Sequence, residues 1–164
     1  MKKQCMVLLV DNNSGVLARI ASLFMQRGFN IDSLTVSPTE IPSISRLTIM
    51  TTGDQKTFSQ IMKQTSKLVE TKMIFSVEPS FSLIRELLLV KFSAYSSHIK
   101  ELQDIVDKYG AKVVDMTNGC FAIELTDSPE KIDAFLEEAK AFELVEMCRS
   151  GAIAMERGNV SYEI

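Results

Sequence analysis

Cys5-Met6-Val7-Leu8-Leu9-Val10 runs into Asp11-Asn12-Asn13-Ser14-Gly15 and then into Val16-Leu17-Ala18-Arg19-Ile20-Ala21-Ser22-Leu23-Phe24. The six apolar residues read as a short buried strand. The next five are turn and cap residues. Leu17, Ile20, Ala21 and Phe24 then recur at helical spacing and predict an amphipathic helix. Gly28 stands where a helix C-terminal cap is expected, with Gln26 and Arg27 just before it. Ile31 to Val36 reads as the next strand.

Working outward, Pro38, Glu40 and Pro42 interrupt that strand, and Ser45 to Thr52 is a third, so the pair forms a hairpin with a long tip. Gly53-Asp54 opens a second helix, with Phe58, Ile61, Met62, Thr65 and Leu68 on one face. Lys72 to Val77 is a fourth strand. The order β-α-β-β-α-β is the ferredoxin-like arrangement.

Pro79-Ser80-Phe81-Ser82 reads as a joint, after which the pattern starts again. Glu86 to Ala94 is strand-like, and Ile99, Leu102, Ile105, Val106 and Tyr109 mark a helix ended by Gly110. Lys112–Thr117 and Cys120–Leu125 flank Asn118-Gly119, a strong hairpin signal. Ser128-Pro129-Glu130 starts a fourth helix, with Ile132, Phe135, Leu136 and Ala139 inward. Leu144 to Cys148 and Ala152 to Met155 are strand-like. The expected class is α+β: two tandem ferredoxin-like units, at 1–78 and 84–158, followed by a loose tail at 159–164. Gly28-Phe29-Asn30-Ile31 and Gly110-Ala111-Lys112-Val113 repeat one feature, a helix, a glycine and a strand.

Composition narrows the function. The formal net charge of −3 argues against a general grip on nucleic acid, which needs a basic face. No apolar run approaches the ~20 residues of a membrane-spanning helix, and the start lacks the features of a signal peptide. Cys5, Cys120 and Cys148 are odd in number and widely spaced, which points to reduced, buried or half-buried thiols in a cytoplasmic protein, with no metal-ligand spacing. Met6, Met25, Met50, Met62 and Met73 take core-like positions and read as packing.

Catalytic constellations are not found. His98, the one histidine, opens a helix and reads as a surface residue. Glu101, Asp104, Asp107, Glu137 and Glu138 fall on polar helix faces. No nucleophile, base and orienting group assemble, and no glycine-rich phosphate loop with a lysine appears.

The first strand-to-helix turn is the informative segment. Backbone N–H groups at a helix start lack internal partners, and the dipole there favours an anion. The carboxylate of a free amino acid could dock on the N–H groups of Gly15 and Val16, and its ammonium on side-chain oxygens of Asp11 or Asn12. Glycine at 15 permits a close approach. Alternatively, Asn12, Asn13 and Ser14 simply cap the helix. The equivalent turn in the second unit, Ala94-Tyr95-Ser96-Ser97-His98, has neither glycine nor Asn or Asp, and Lys112 replaces Asn30. That contrast suggests one ligand-competent unit and one with other work.

Asn13-Ser14-Gly15-Val16-Leu17-Ala18-Arg19 resembles the start of an ACT domain. Leu23 through Val36, Pro38-Thr39-Glu40, Ser45-Arg46-Leu47-Thr48-Ile49, Lys63-Gln64 and Lys67-Leu68-Val69 resemble the small regulatory subunit of acetohydroxyacid (acetolactate) synthase more specifically. Arg85-Glu86-Leu87, Lys112 to Asp115, Lys131 to Phe135 and Arg149-Ser150-Gly151 extend the likeness over nearly the whole chain. The resemblance implies a subunit with no catalytic site and no cofactor of its own. It would bind a large catalytic subunit carrying thiamine diphosphate, magnesium and FAD, raise its activity, and confer feedback inhibition, usually by valine, on branched-chain amino-acid synthesis. It further implies a homodimer through the N-terminal ACT domains. Valine would lie between Asn12, Gly15, Val16 and Leu17 of one chain and Asn30 with Ile31 of the other. Ser14 departs from the family's usual proline. Ile41, apolar at the hairpin tip, is either a partner contact or a stray surface residue. Two other classes stay in view: a free-standing ACT sensor for another protein, and a ferredoxin-like RNA-binding module, which the apolar strands and negative charge disfavour.

Overall fold

The computed structural model describes residues 2–93 and 99–158. His98, the turn Ala94–His98 and the tail 159–164 lie outside the described residues.

The first unit contains β1 (Lys2–Asp11), α1 (Val16–Gln26), β2 (Ser33–Pro38), β3 (Ile44–Gly53), α2 (Gln55–Thr65) and β4 (Thr71–Val77). Its strands lie in the order β2-β3-β1-β4, each pair antiparallel. Met6, Leu8 and Val10 of β1 form one core with Val16, Ile20 and Phe24 of α1, Leu47 and Ile49 of β3, and Phe58 and Ile61 of α2. The intervening residues Cys5, Val7 and Leu9 point to the other face and are also buried, at 4%, 0% and 3% exposure. This explains why β1 is a continuous apolar run and does not alternate. Asp54 caps α2: its carboxylate accepts from Thr57 N–H at 2.9 Å and from the Thr57 hydroxyl at 2.6 Å.

The second unit repeats the topology with β5 (Ser82–Ser93), α3 (Ile99–Tyr109), β6 (Lys112–Thr117), β7 (Cys120–Asp127), α4 (Pro129–Glu138) and β8 (Leu144–Arg149), in the order β6-β7-β5-β8. Asn118 and Gly119 take φ of 53° and 75°, the backbone of a two-residue I′ hairpin turn. Gly28 and Gly110 close α1 and α3 in the same way. Each has positive φ, and the next residue donates back to the helix, Phe29 N–H to the Phe24 carbonyl and Ala111 N–H to the Val106 carbonyl. The repeat seen in the sequence is therefore a repeated helix stop.

The chain divides between residues 83 and 84 and again between 151 and 152. From Ala152 onward the described residues, including β9 (Ile153–Glu156), belong to the first unit. Sequence order alone placed them in the second. β9 pairs with β5, and the same segment bonds to the first unit as well: Arg46 Nη2 donates to the Ala154 carbonyl, Ala152 N–H to Ser33 Oγ, and Arg157 N–H to the Phe81 carbonyl. Two side chains also depart from expectation. Met25 is 73% exposed, and Cys148 lies exposed on β8.

Within the second unit Arg149 ties β8 to β5 and α4. Its Nε and Nη2 donate to the two carboxylate oxygens of Glu86 at 2.8 and 2.7 Å, and Nη1 donates to Asp133 at 2.7 Å. Glu86 is buried, so removing Arg149 would leave a buried carboxylate without its bidentate partner. Replacing Arg149 by Met alone is expected to lower the unfolding free energy by about 3–5 kcal/mol in urea titrations, whereas Arg149→Met with Glu86→Met loses far less.

Asp54 adds a pH-dependent term. Hydrogen bonds from Thr57 hold its carboxyl below the ordinary 3.8. A depressed carboxyl stabilises the fold above its unfolded value and loses that contribution as pH falls through the folded one. The stability difference between the parent and Asp54→Ala should therefore be full at neutral pH and shrink below pH 3.8, as thermal melts at several pH values would show.

Candidate functional site

The first strand-to-helix turn is stapled from two sides. Asn12 N–H donates to the Ser43 carbonyl at 2.7 Å, and its side-chain Nδ2 to the Pro42 carbonyl at 3.0 Å. Asp11 N–H donates to the Glu70 carbonyl at 2.9 Å. The hairpin tip and the turn before β4 thus fix the backbone that leads into α1.

Gly15 occupies the N-cap position with φ 87° and ψ −14°, and α1 receives no side-chain capping bond. Val16 N–H makes one long backbone bond, to the Asn13 carbonyl at 3.4 Å, beyond the usual range. Asn12, Asn13 and Ser14 therefore do not cap the helix, and its positive end stays exposed to an anion. The Val16 side chain is buried in the core, so only its backbone can face a ligand, while Leu17 is 40% exposed.

Asp11 and Asn12 separate in role. Asp11 Oδ2 already accepts from Lys72 Nζ at 2.9 Å. Asn12 spends its Nδ2 on Pro42, and among the described residues its Oδ1 accepts no hydrogen bond. Of the two, Asn12 is the better-placed acceptor for an ammonium. An ion pair between Arg19 and Glu70 closes the flank of the turn.

Asn30 and Ile31 lie past the other end of α1. Asn30 Nδ2 donates to Asp32 Oδ1 at 2.9 Å, and its carbonyl accepts from Thr51 Oγ1 at 2.9 Å. Ile31 packs half-buried against the core of the first unit. Asn12 is anchored beside Ser43, before β3, and Asn30 beside Thr51, near the end of that strand. Eight strand residues span roughly 27 Å. One chain brings Asn12, Gly15, Val16 and Leu17 together but holds Asn30 and Ile31 far away.

Two recesses lie elsewhere on the first unit. One of about 350 Å³ runs along α1 between Ala18, Ser22, Leu23 and Leu68, and one of about 390 Å³ is lined by Ser76, Glu78, Phe81, Glu156 and Arg157. Neither includes the turn. Among the described residues no three His, Cys, Asp or Glu side chains could hold a metal, and no helix is long and apolar enough to cross a membrane.

Comparison with known proteins decides the family. Residues 6–72 match the AHAS small subunit-like ACT domain, and residues 85–158 match the small subunit of acetolactate synthase. A probable acetolactate synthase small subunit from Archaeoglobus fulgidus is 40% identical over 96% of this chain and 98% of its own length. The chain belongs to the acetolactate synthase small-subunit family. The isozyme 3 small subunit of Escherichia coli is 36% identical over 96% of this chain and 97% of its own. The solved small subunit from Thermotoga maritima superposes with a TM-score of 0.86 at 36% identity, covering 98% of this chain and all of that one. Two ferredoxin-like units, the first an ACT domain, are thus the architecture of a known small subunit.

Sequence reading missed three participants: the Pro42 and Ser43 carbonyls and Lys72. All three act through pairings between distant segments, which leave no local signal.

A Cβ at position 15 would meet no atom within 4 Å, so substitution there is opposed by backbone conformation alone. Gly15→Ala is expected to cost about 1–2 kcal/mol, and Gly15→Asn less, because asparagine tolerates the left-handed region. Equal losses in denaturant titrations would show that the conformation is not maintained.

Proposed function

We propose that this chain is the effector-binding subunit that activates an acetolactate synthase catalytic subunit and confers inhibition by valine. The uncapped start of α1 at Gly15 carries the proposal. It would present backbone N–H groups and the positive end of the helix to a carboxylate, with Asn12, three residues earlier in the turn, to accept from the ammonium and exposed Leu17 to meet the side chain. Because Asn30 and Ile31 sit at the far end of α1, an amino acid touches both groups only if a second copy supplies them. A homodimer through the first unit meets that need.

In this reading thiamine diphosphate, magnesium and FAD belong to the catalytic partner, and this chain contributes no reacting group. Valine would bridge two chains and favour one arrangement of the pair. Inhibition requires that valine bind the two arrangements unequally, since equal binding shifts nothing. A coupling of about 1–3 kcal/mol suffices for clear feedback. One methylene is worth roughly 1–3 kcal/mol in an apolar pocket, so leucine and isoleucine should act more weakly than valine and still measurably.

Calorimetric titration of the purified chain with valine should give saturable binding, and Asn12→Ala should weaken it about 10- to 100-fold, as expected for a lost hydrogen bond to a charged group. Equal uptake of valine and an unrelated polar amino acid would sink the proposal, as would an Asn12→Ala variant that binds like its parent. Added to the catalytic subunit, the chain should raise its activity, and valine should then lower it.

A further inference from the structure

Arg46 does something that binding of an effector does not require. In β3 it pairs with Leu9 and so lies on the face that carries Cys5 and Val7, away from α1 and α2. Its guanidinium stands 5.7 Å from the centroid of the Phe75 ring on β4, and Nη2 donates to the Ala154 carbonyl at 2.6 Å. A planar guanidinium can lie over a ring and donate in its own plane at once; an ammonium cannot match both contacts. Two further bonds hold the same strap, Ala152 N–H to Ser33 Oγ at 3.3 Å and Arg157 N–H to the Phe81 carbonyl at 2.9 Å. Ala152 and Ala154 are buried, whereas Ile153 and Met155 face outward. The strap strand β9 pairs with β5, and the Ser33 and Arg46 side chains tie it in addition to β2 and β3.

The route of the chain gives this strap a role. It leaves β8, turns at Gly151, and is bonded to Ser33 three residues after Asn30, and to Arg46 on the neighbouring strand. The strap therefore joins the strand that follows the Asn30 end of the effector site to the polypeptide leaving the second unit. We infer that Arg46 is a positioning residue of the feedback response: it clamps the strap Ala152–Arg157 so that displacement of β2 on effector binding is carried into the chain beyond the ACT domain. This inference rests on the proposed function and extends it from where valine binds to how binding is transmitted. It needs only one element with two positions that the effector biases, and no continuous line of contacts to the catalytic centre.

The test separates binding from response. Arg46→Met keeps the apolar stem and removes the clamp. It should leave valine affinity in calorimetry at the parental value and speed hydrogen exchange of the amides from 152 to 157 about tenfold or more, as loss of a charge-assisted bond predicts. It should also leave the synthase reconstituted with its catalytic subunit largely uninhibited at saturating valine. Arg46→Lys, which retains a donor but not the planar contact, should restore part of the inhibition. Should Arg46→Met fail to fold, as judged by thermal melting, Ser33→Ala is read by the same criteria, since it deletes a single acceptor of the strap. Unchanged exchange in the strap, or faster exchange with full inhibition, overturns the inference. If the parent chain itself binds no valine, the effector reading has failed and this inference falls with it.

Discussion

The central strand of the ACT unit is buried on both faces, and most of the structure answers to that. Cys5 through Val10 are each 4% exposed or less. Helices α1 and α2 cover one face only, as a two-layer unit allows. The other face, with Val7, Leu9 and Thr48, needs cover as well. Burying a Val or Leu side chain is worth about 1.5–3 kcal/mol, against roughly 1 kcal/mol net for a hydrogen bond. Apolar burial thus decides that the face is covered, and the Arg46 guanidinium on that face finds its acceptor in the Ala154 carbonyl. Cys5 reports the same environment, since burial pushes its thiol up to about 12, against a smaller lowering by the charge of Arg46. Such a thiol is packing material and not a nucleophile.

The site follows from how this strand hands over to α1. A left-handed glycine turns the chain sharply, so the helix begins without a side-chain cap, and neighbouring loops fix the turn through backbone carbonyls. The helix start thus keeps its backbone N–H groups free of a side-chain cap, as the proposed docking of a small anion-bearing ligand requires. Its opposite end carries Asn30 and Ile31. Under the proposed function, a unit that places the two groups so far apart would serve a small effector only in pairs, which would link recognition of the amino acid to assembly.

Local signals made much of this legible from sequence. Continuous apolar runs located β1 and β5, helical spacing located α1 to α4, Asn118-Gly119 located a hairpin, and Asp54 and Ser128 located helix starts. Asn12 and Gly15 stand out in the sequence because an unusual turn chemistry marks them. What stayed hidden depends on distant partners. Ser14 looked like a cap but makes no capping bond, and Asp11 looked open but is taken by Lys72. Met25 has core-like spacing yet falls on the outer face of α1. The strap from Ala152 reads as the end of the second unit until Arg46 and Ser33 appear as its partners. β5 begins at Ser82, directly after the Pro79–Phe81 turn, and pairs with β9 as well as with β7 and β8, partners that local sequence does not reveal.

The central claim, an effector site completed by two chains, is tested most directly by mixing two deficient variants. Asn12→Ala and Asn30→Ala are each expected to bind valine poorly as homodimers. When they are unfolded together and refolded, the mixed dimers contain one site with both substitutions and one with neither. Calorimetry of the mixture should then recover valine binding at parental affinity, with a reduced number of sites set by random pairing. If both groups acted within one chain, every site would keep a defect and mixing would restore nothing, which would contradict the account.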